Sequence, residues 1–443
     1  MKNKIAILLC FLTVGVFILI FLQDRAMVFE LKKLNGVYNT SPKVELTFDN
    51  FYNGKYQQSL ENDLRYNFGF REVLIRLYNQ YRWDFYHKST NYTVKVGKDD
   101  WLFGLDEVEN YYESYMYKHT NDRNEMKRKF DLEASRMYKV QNILDEYGVF
   151  IFVSLLPSKA FIFPEYLPEN PGLTRKPFHA IEYYPHVFDS LGVNYINVQK
   201  IFENQKGKVD YPLFPKTGMH WSYIAAEHAF DTTLRYVEAK SGINLRNYTI
   251  GEKYVGQPKH PDTDLEDVLN LMRPIRPNTL YYADVQIVKD STATKPIFII
   301  IGDSYFWNIS GSVPLGSIFK KFYYWYYNST INFDSRYKHT SQVDILEEIL
   351  NASIIDLSYC PRQLYVFSNN FLPKALLYLT HDDSEIDSTL NAIASTIENV
   401  SEEEKMKSAK EQLFSEPEKY FPDLATDDIP TTRNSRIPSI LVR

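Results

Sequence analysis

Hydrophobic positions along this chain follow three rhythms. The first is a block. Residues 5–22 are uncharged and almost wholly apolar, with Lys2 and Lys4 before them and Gln23, Asp24 and Arg25 after. Eighteen helical residues rise about 27 Å, close to the ~30 Å hydrocarbon core of a bilayer and longer than a typical signal-peptide core. The block predicts one N-terminal transmembrane helix. The lysines at its start place that end in the cytoplasm and the remainder of the chain outside. No small-residue cleavage site follows the block, and Ile7, Leu8 and Leu9 leave no small residue next to Cys10, as a lipoprotein signal would need.

The second rhythm has a period near 3.6. It runs through 51–86, where Leu60, Leu64, Leu74, Leu77, Tyr81 and Phe85 recur and 67–71 (Asn-Phe-Gly-Phe-Arg) forms a kink. It returns over 124–147, 181–191, 222–239 and 342–350. The third rhythm is the short, nearly all-apolar run. Residues 148–156 and 296–301 are continuous apolar stretches, the mark of strands buried on both faces. Weaker strand signals lie at 93–96, 101–103, 194–198, 322–327, 353–357 and 364–367. Strands alternating with helices predict an α/β fold, a parallel sheet flanked by helices.

Charge divides the chain further. From 381 onward, 14 Asp and Glu face 7 Lys and Arg, a net −7 against −6 for the whole chain. The expected organisation is an anchor (1–22), a juxtamembrane spacer (23–45), one catalytic domain (46–380) and an acidic, partly helical tail (381–443). Helices are expected there at 387–399 and 402–414. The stretch holding Pro417, Pro422, Pro430 and Pro438 reads as extended. The overall negative charge argues against a nucleic-acid partner, which needs a basic face. Cys10 and Cys360 lie in different parts of the chain, so no internal disulfide is expected. No His/Cys/Asp cluster has metal-ligand spacing, and no cofactor motif is present.

Two segments carry candidate chemistry. In the first, the apolar strand 296–301 runs into Gly302-Asp303-Ser304-Tyr305. A serine there sits at the carboxyl end of a buried strand, where open α/β sheets hold reacting groups, beside backbone N–H groups suited to an oxyanion. In the second, Gly218-Met219-His220-Trp221-Ser222 places a histidine just before a helix. His220 is the natural general base for Ser304, which alone is a weak nucleophile. Asp303 is a candidate catalytic acid, with Asp210 and Glu227 as alternatives. Tyr305, Trp221, Arg336 and Lys159 are candidates for substrate contact: Arg336 as a carboxylate or acetyl-oxygen ligand, Lys159 as part of a cleft wall. For both of these a structural salt bridge or a solvated cation is the competing reading.

These segments, with the histidine ahead of the serine, resemble the SGNH-hydrolase-like family of alginate O-acetylation proteins, the AlgX and AlgJ type. Phe51-Tyr52-Asn53-Gly54-Lys55-Tyr56, Gly97-Lys98-Asp99-Asp100-Trp101-Leu102-Phe103 and Leu156-Pro157-Ser158-Lys159 resemble other segments of that family in the same order. The resemblance covers roughly 46–370. It implies a circularly permuted SGNH-hydrolase-like fold, an acyl-carrying serine, a polysaccharide acceptor and a multi-spanning acyltransferase partner of the MBOAT type. Family members carry an aspartate two residues before the histidine, where this chain has Gly218.

The expected function is an O-acetyltransferase modifying a cell-surface or exported polysaccharide. Its expected location is the inner membrane, single-pass, with the catalytic domain on the periplasmic side. The competing readings are a glycan acetylesterase and a catalytically silent glycan-binding or assembly protein, for which Gly218 is the best support.

Overall fold

The computed structural model describes residues 2–36, 43–112, 122–169, 174–175, 178–276, 279–426, 428–429 and 434–437. Twelve strands are formed: β1 Val94–Val96, β2 Leu102–Gly104, β3 Phe150–Leu155, β4 Tyr195–Asn197, β5 Tyr248–Ile250, β6 Tyr254–Val255, β7 Tyr281–Tyr282, β8 Val285–Ile287, β9 Ile297–Gly302, β10 Lys321–Tyr326, β11 Thr330–Asn332 and β12 Ile354–Tyr359. Six of them make the central sheet, in the order β11-β10-β9-β12-β3-β4. Every pairing in it is parallel except β10 with β11, which closes one edge as a hairpin.

The apolar runs are explained by what each strand touches. In β9, Ile299 and Ile301 enter one core while Phe298 and Ile300 enter the other. A strand with helices on both faces has no solvent side, so alternation gives way to continuous hydrophobicity. Helices Arg123–Glu146, Ala180–Leu191 and Phe371–Thr380 cover the first face, and Tyr223–Ser241 and Phe306–Ser312 the second. Two small antiparallel pairs, β5 with β8 and β6 with β7, bracket an excursion between the Tyr223–Ser241 helix and β9.

Several expectations change. Residues 364–367 form no strand. A 3-10 segment, Leu364–Asn370, stands there, broken by Ser368 and Asn369 at positive φ. The acidic tail is packed onto the body. Ile386, Leu390 and Leu413, on helices Asp383–Ser395 and Glu402–Ser415, join the first core. Arg136, bonded to Glu133 on its own helix at 2.5 Å, reaches Glu418 at 2.6 Å and donates to Ser415 O at 3.2 Å, tying the end of the second tail helix to the body. The Pro417 and Pro422 regions are 3-10 turns rather than extended chain. Pro430 and Pro438 lie outside the described residues.

The apolar block forms the helix Lys2–Ala26, the one helix among the described residues long and apolar enough to cross a membrane. The segment after it is no free spacer as far as residue 36. Arg76 donates to Lys32 O and Lys33 O at 2.7 and 2.8 Å, and Asn35 exchanges hydrogen bonds with Asn270. Residues 37–42 of the expected spacer lie outside the described residues.

Candidate active site

Ser304 stands two residues beyond the end of β9, half-buried on the turn into the Phe306–Ser312 helix. His220 lies just before the Tyr223–Ser241 helix, which Ser222 caps by accepting the Ala225 N–H. The two meet. His220 Nε2 is 2.7 Å from Ser304 Oγ. On the other side of the ring, Nδ1 is 2.7 Å from Asp264 Oδ2. With Nδ1 donating to the carboxylate, Nε2 is left as the acceptor that can take the serine proton.

Asp264 was not among the sequence candidates. It opens the short helix Asp264–Asp267, and its Oδ1 accepts the N–H groups of Met219 and Leu265, each at 2.8 Å. Burial alone would raise its carboxyl. The His220 imidazole and the two backbone donors outweigh burial and hold it below the usual carboxylate range. It is therefore ionised wherever the imidazole needs a counter-charge.

The residue at 218 explains how this acid reaches the site. A Cβ on Gly218 would lie 2.4 Å from Asp262 O, closer than any non-bonded contact allows. Glycine lets segment 262–264 press against the histidine turn, and that segment carries the carboxylate. The acid occupies the site from a different stretch of chain, 44 residues away.

The earlier candidates for the acid serve elsewhere. Asp303 is buried and does not bond His220. Its carboxylate accepts the Cys360 N–H at 2.7 Å and the Tyr305 N–H at 3.2 Å, tying the turn after β9 to the end of β12. Asp210 pairs with Lys253 at 2.5 Å at the surface. Glu227 is buried on the Tyr223–Ser241 helix, where burial pushes its carboxyl up to about 7.

The four residues expected to touch substrate hold the structure together instead. Trp221 and Tyr305 are buried, and Trp221 Nε1 donates to Tyr305 O at 3.0 Å. The Tyr305 ring meets both His220 and Trp221 edge to face, at 5.1 and 5.4 Å. Asn308, also buried, donates to Trp221 O at 3.1 Å. Together they lock the histidine segment to the serine segment.

Lys159 is fully buried, and its ammonium donates to Leu102 O, Lys216 O and Gly218 O at 2.7–2.9 Å. Burial drives its pKa down, and burial drives that of nearby Glu107 up. Glu107 is itself held by Ser158 Oγ at 3.1 Å. Lys159 thus clamps the loop that precedes His220. Arg336 is bound to Asp334 and Glu348 at 3.0 and 2.7 Å and lies over the Tyr323 ring, far back along β10 from the serine end of the sheet. Among the described residues no group of three or more His, Cys, Asp or Glu converges as a metal site.

Beside the histidine loop is a cavity of about 320 Å³. Trp101, Phe163, Tyr211, Phe214 and Lys216 line part of it.

Residues 94–308 match the family model described as ALGX, SGNH hydrolase-like domain, acetyltransferase AlgX. No curated protein matches the chain. Among solved structures, the O-acetyltransferase domain of Pseudomonas putida AlgJ is similar at 17% identity and a TM-score of 0.42, over 61% of this chain and 92% of that one. Pseudomonas aeruginosa AlgX is similar at 14% and 0.34, over 60% of this chain and 55% of that one. Bacillus cereus PatB1 with a sulfonyl adduct is similar at 15% and 0.40, over 63% and 98%. His220, Asp264 and Ser304 all fall within residues 94–308, the stretch that matches the SGNH hydrolase-like domain of the AlgX family.

Proposed function

We propose that this protein is a membrane-anchored O-acetyltransferase that esterifies hydroxyl groups of a cell-surface or exported polysaccharide. The observation that carries the reading is the continuous relay Ser304–His220–Asp264, with both links at 2.7 Å. In the first half-reaction, Ser304 Oγ attacks the acetyl carbonyl carbon of a donor while His220 Nε2 takes the serine proton. The same proton passes to the departing donor group, leaving acetyl on Ser304. In the second, a sugar hydroxyl gives its proton to His220 and attacks the acetyl-serine, and Ser304 recovers its proton. Asp264 stabilises the imidazolium formed in each half.

The apolar helix Lys2–Ala26 supports anchoring in the inner membrane with the body outside. Acetyl would then come from a multi-spanning acyltransferase of the MBOAT type. The aromatic cavity beside the histidine loop suits a sugar ring. A complete relay favours an enzyme over a silent binding protein.

The test is covalent labelling and transfer with the full chain in detergent. A sulfonyl fluoride should modify Ser304, and Ser304→Ala should lose both labelling and acetyl transfer from a small acetyl ester to an oligosaccharide, with circular dichroism unchanged. Equal labelling of Ser304→Ala would reject the assignment. Ester cleavage with water as sole acceptor at every oligosaccharide concentration would make the protein an esterase.

A further inference from the structure

Exposed apolar side chains are concentrated in one part of the molecule. Thirteen large hydrophobic residues stand exposed between positions 46 and 92, against nine among all described residues after 92. The helix Arg71–Tyr86 is built inside out. Arg76, Asn79 and Trp83, three and four residues apart, face the body. Asn79 donates to Leu269 O at 2.7 Å, and Trp83 packs with Leu265 and Leu269. Leu74, Leu77, Tyr81 and Phe85 recur every three or four residues on the opposite side and are exposed. On the preceding helix, Lys55–Tyr66, Leu60 and Leu64 are exposed one turn apart.

The anchor helix ends on this same unit. A Cβ on Gly69, in the turn between the two helices, would lie 2.2 Å from Ile20 O and 2.8 Å from Asp24 N. The last apolar turn of Lys2–Ala26 therefore abuts the point from which both helices run. Phe29, just beyond the anchor, meets Phe70 with ring centroids 6.0 Å apart. Wherever the anchor leaves the hydrocarbon, these helices begin within a turn of that boundary. Their outward row mixes aliphatic side chains with Tyr78, Tyr81 and Tyr86, rings with a polar tip that suit the headgroup level. Residues 43–92 hold seven Lys and Arg against six Asp and Glu, so attraction to the surface would be apolar rather than electrostatic.

The geometry points to a lipid-contacting collar: helices Lys55–Tyr66 and Arg71–Tyr86 rest on the bilayer that the anchor crosses, with Leu74, Leu77, Tyr81 and Phe85 in its interfacial layer. The collar fixes the height of the catalytic body over the membrane and rests on the anchoring of Lys2–Ala26 proposed above. The test uses full-length protein in phosphatidylcholine vesicles, with and without phosphatidylglycerol. A bimane dye is placed at Leu77→Cys or Tyr81→Cys in a Cys10→Ser background. Cys360 is buried, and native Cys10, exposed on the anchor, serves as the reference in the wild type.

Shallow spin-labelled lipid should quench both collar positions at least about twofold, aqueous iodide should not, and anionic lipid should change neither result. Iodide quenching at 77 and 81 together with lipid quenching at Cys10 would leave the anchor standing and overturn the collar. Failure of lipid quenching at Cys10 as well would overturn both. Shielding of 77 and 81 from lipid and iodide alike would mean that a second copy covers the row, which also overturns the collar.

Discussion

Strand β9 and the helix Arg71–Tyr86 are both rich in large apolar residues, yet they sort them in opposite directions. β9 turns Ile299 and Ile301 into one core and Phe298 and Ile300 into the other, leaving polar atoms only at its end, where Ser304 stands. The helix buries Arg76 and Asn79 and shows Leu77, Tyr81 and Phe85 to the outside. In the first region hydrophobic burial supplies the stability, and buried polar groups such as Asp303 and Lys159 are held by hydrogen bonds to backbone. In the second, polar groups make the internal joints and the apolar row faces a different medium. A side chain therefore means different things in the two regions, and substitutions should separate them.

The largest expected effect is at the relay. Asp264→Asn keeps the shape but removes the charge behind His220, so kcat/KM for a small acetyl ester should fall about 10²–10⁴-fold with the melting temperature nearly unchanged. Asp303→Asn should instead lower stability through the turn after β9. A large rate loss confined to Asp303→Asn would put the acid back where the sequence first suggested it.

Next is Asp356, buried in the middle of β12, its Oδ1 without a hydrogen-bond partner among the described residues. Burial pushes its carboxyl up to about 7. The folded chain then holds a proton that the unfolded chain releases near pH 4. The associated stability is complete below that pH and is lost progressively as pH rises to about 7, a span on the order of 4 kcal/mol. Denaturant melts from pH 5 to 8.5 should show this decline in the wild type and a flatter profile in Asp356→Asn. Parallel profiles would assign the decline to another group.

A smaller effect is expected at Gly218. Putting back the aspartate that the family carries forces a Cβ onto Asp262 O, so Gly218→Asp should cost about 2 kcal/mol and lower activity rather than raise it. A gain in rate would mean that segment 262–264 yields easily. Smallest of all, Leu77→Ser and Tyr81→Ser should change stability in detergent by less than about 0.5 kcal/mol, whereas Ile301→Ala in the sheet should cost about 2–5 kcal/mol. A large loss at Leu77 would place it in a core after all.

What the sequence revealed follows from how local each signal is. The apolar run of β9 and the Gly-Asp-Ser turn after it are contiguous, so the strand and Ser304 could be read directly. His220 could be read from the turn residues and the helix start beside it. Asp264 could not, because no spacing rule links it to a histidine 44 residues earlier; its one local sign is an Asp-Thr-Asp cluster after Pro261. Trp221, Tyr305 and Lys159 looked like cleft residues because aromatic and cationic side chains serve packing and binding equally well. Burial alone separates the two uses. The run 364–367 has strand-forming residues, but Ser368 and Asn369 at positive φ break any extension. The periodic row along 71–86 revealed a helix with an apolar side, while period is silent on which medium that side meets.

The long separation between His220 and Asp264 makes the charge relay conditional. An acid two residues from the histidine arrives with a single turn of backbone. One that arrives across 44 residues lies beyond the core helix Tyr223–Ser241 and depends on ordering the excursion that follows it. Sub-global opening of that excursion would withdraw the carboxylate while the sheet stayed intact. On warming, a molecule working through Ser304 as proposed would lose activity before it melts, with Ser304 and His220 still side by side and the counter-charge gone. Acetyl-ester turnover would then report the local free energy of that excursion, a quantity that bulk unfolding does not register.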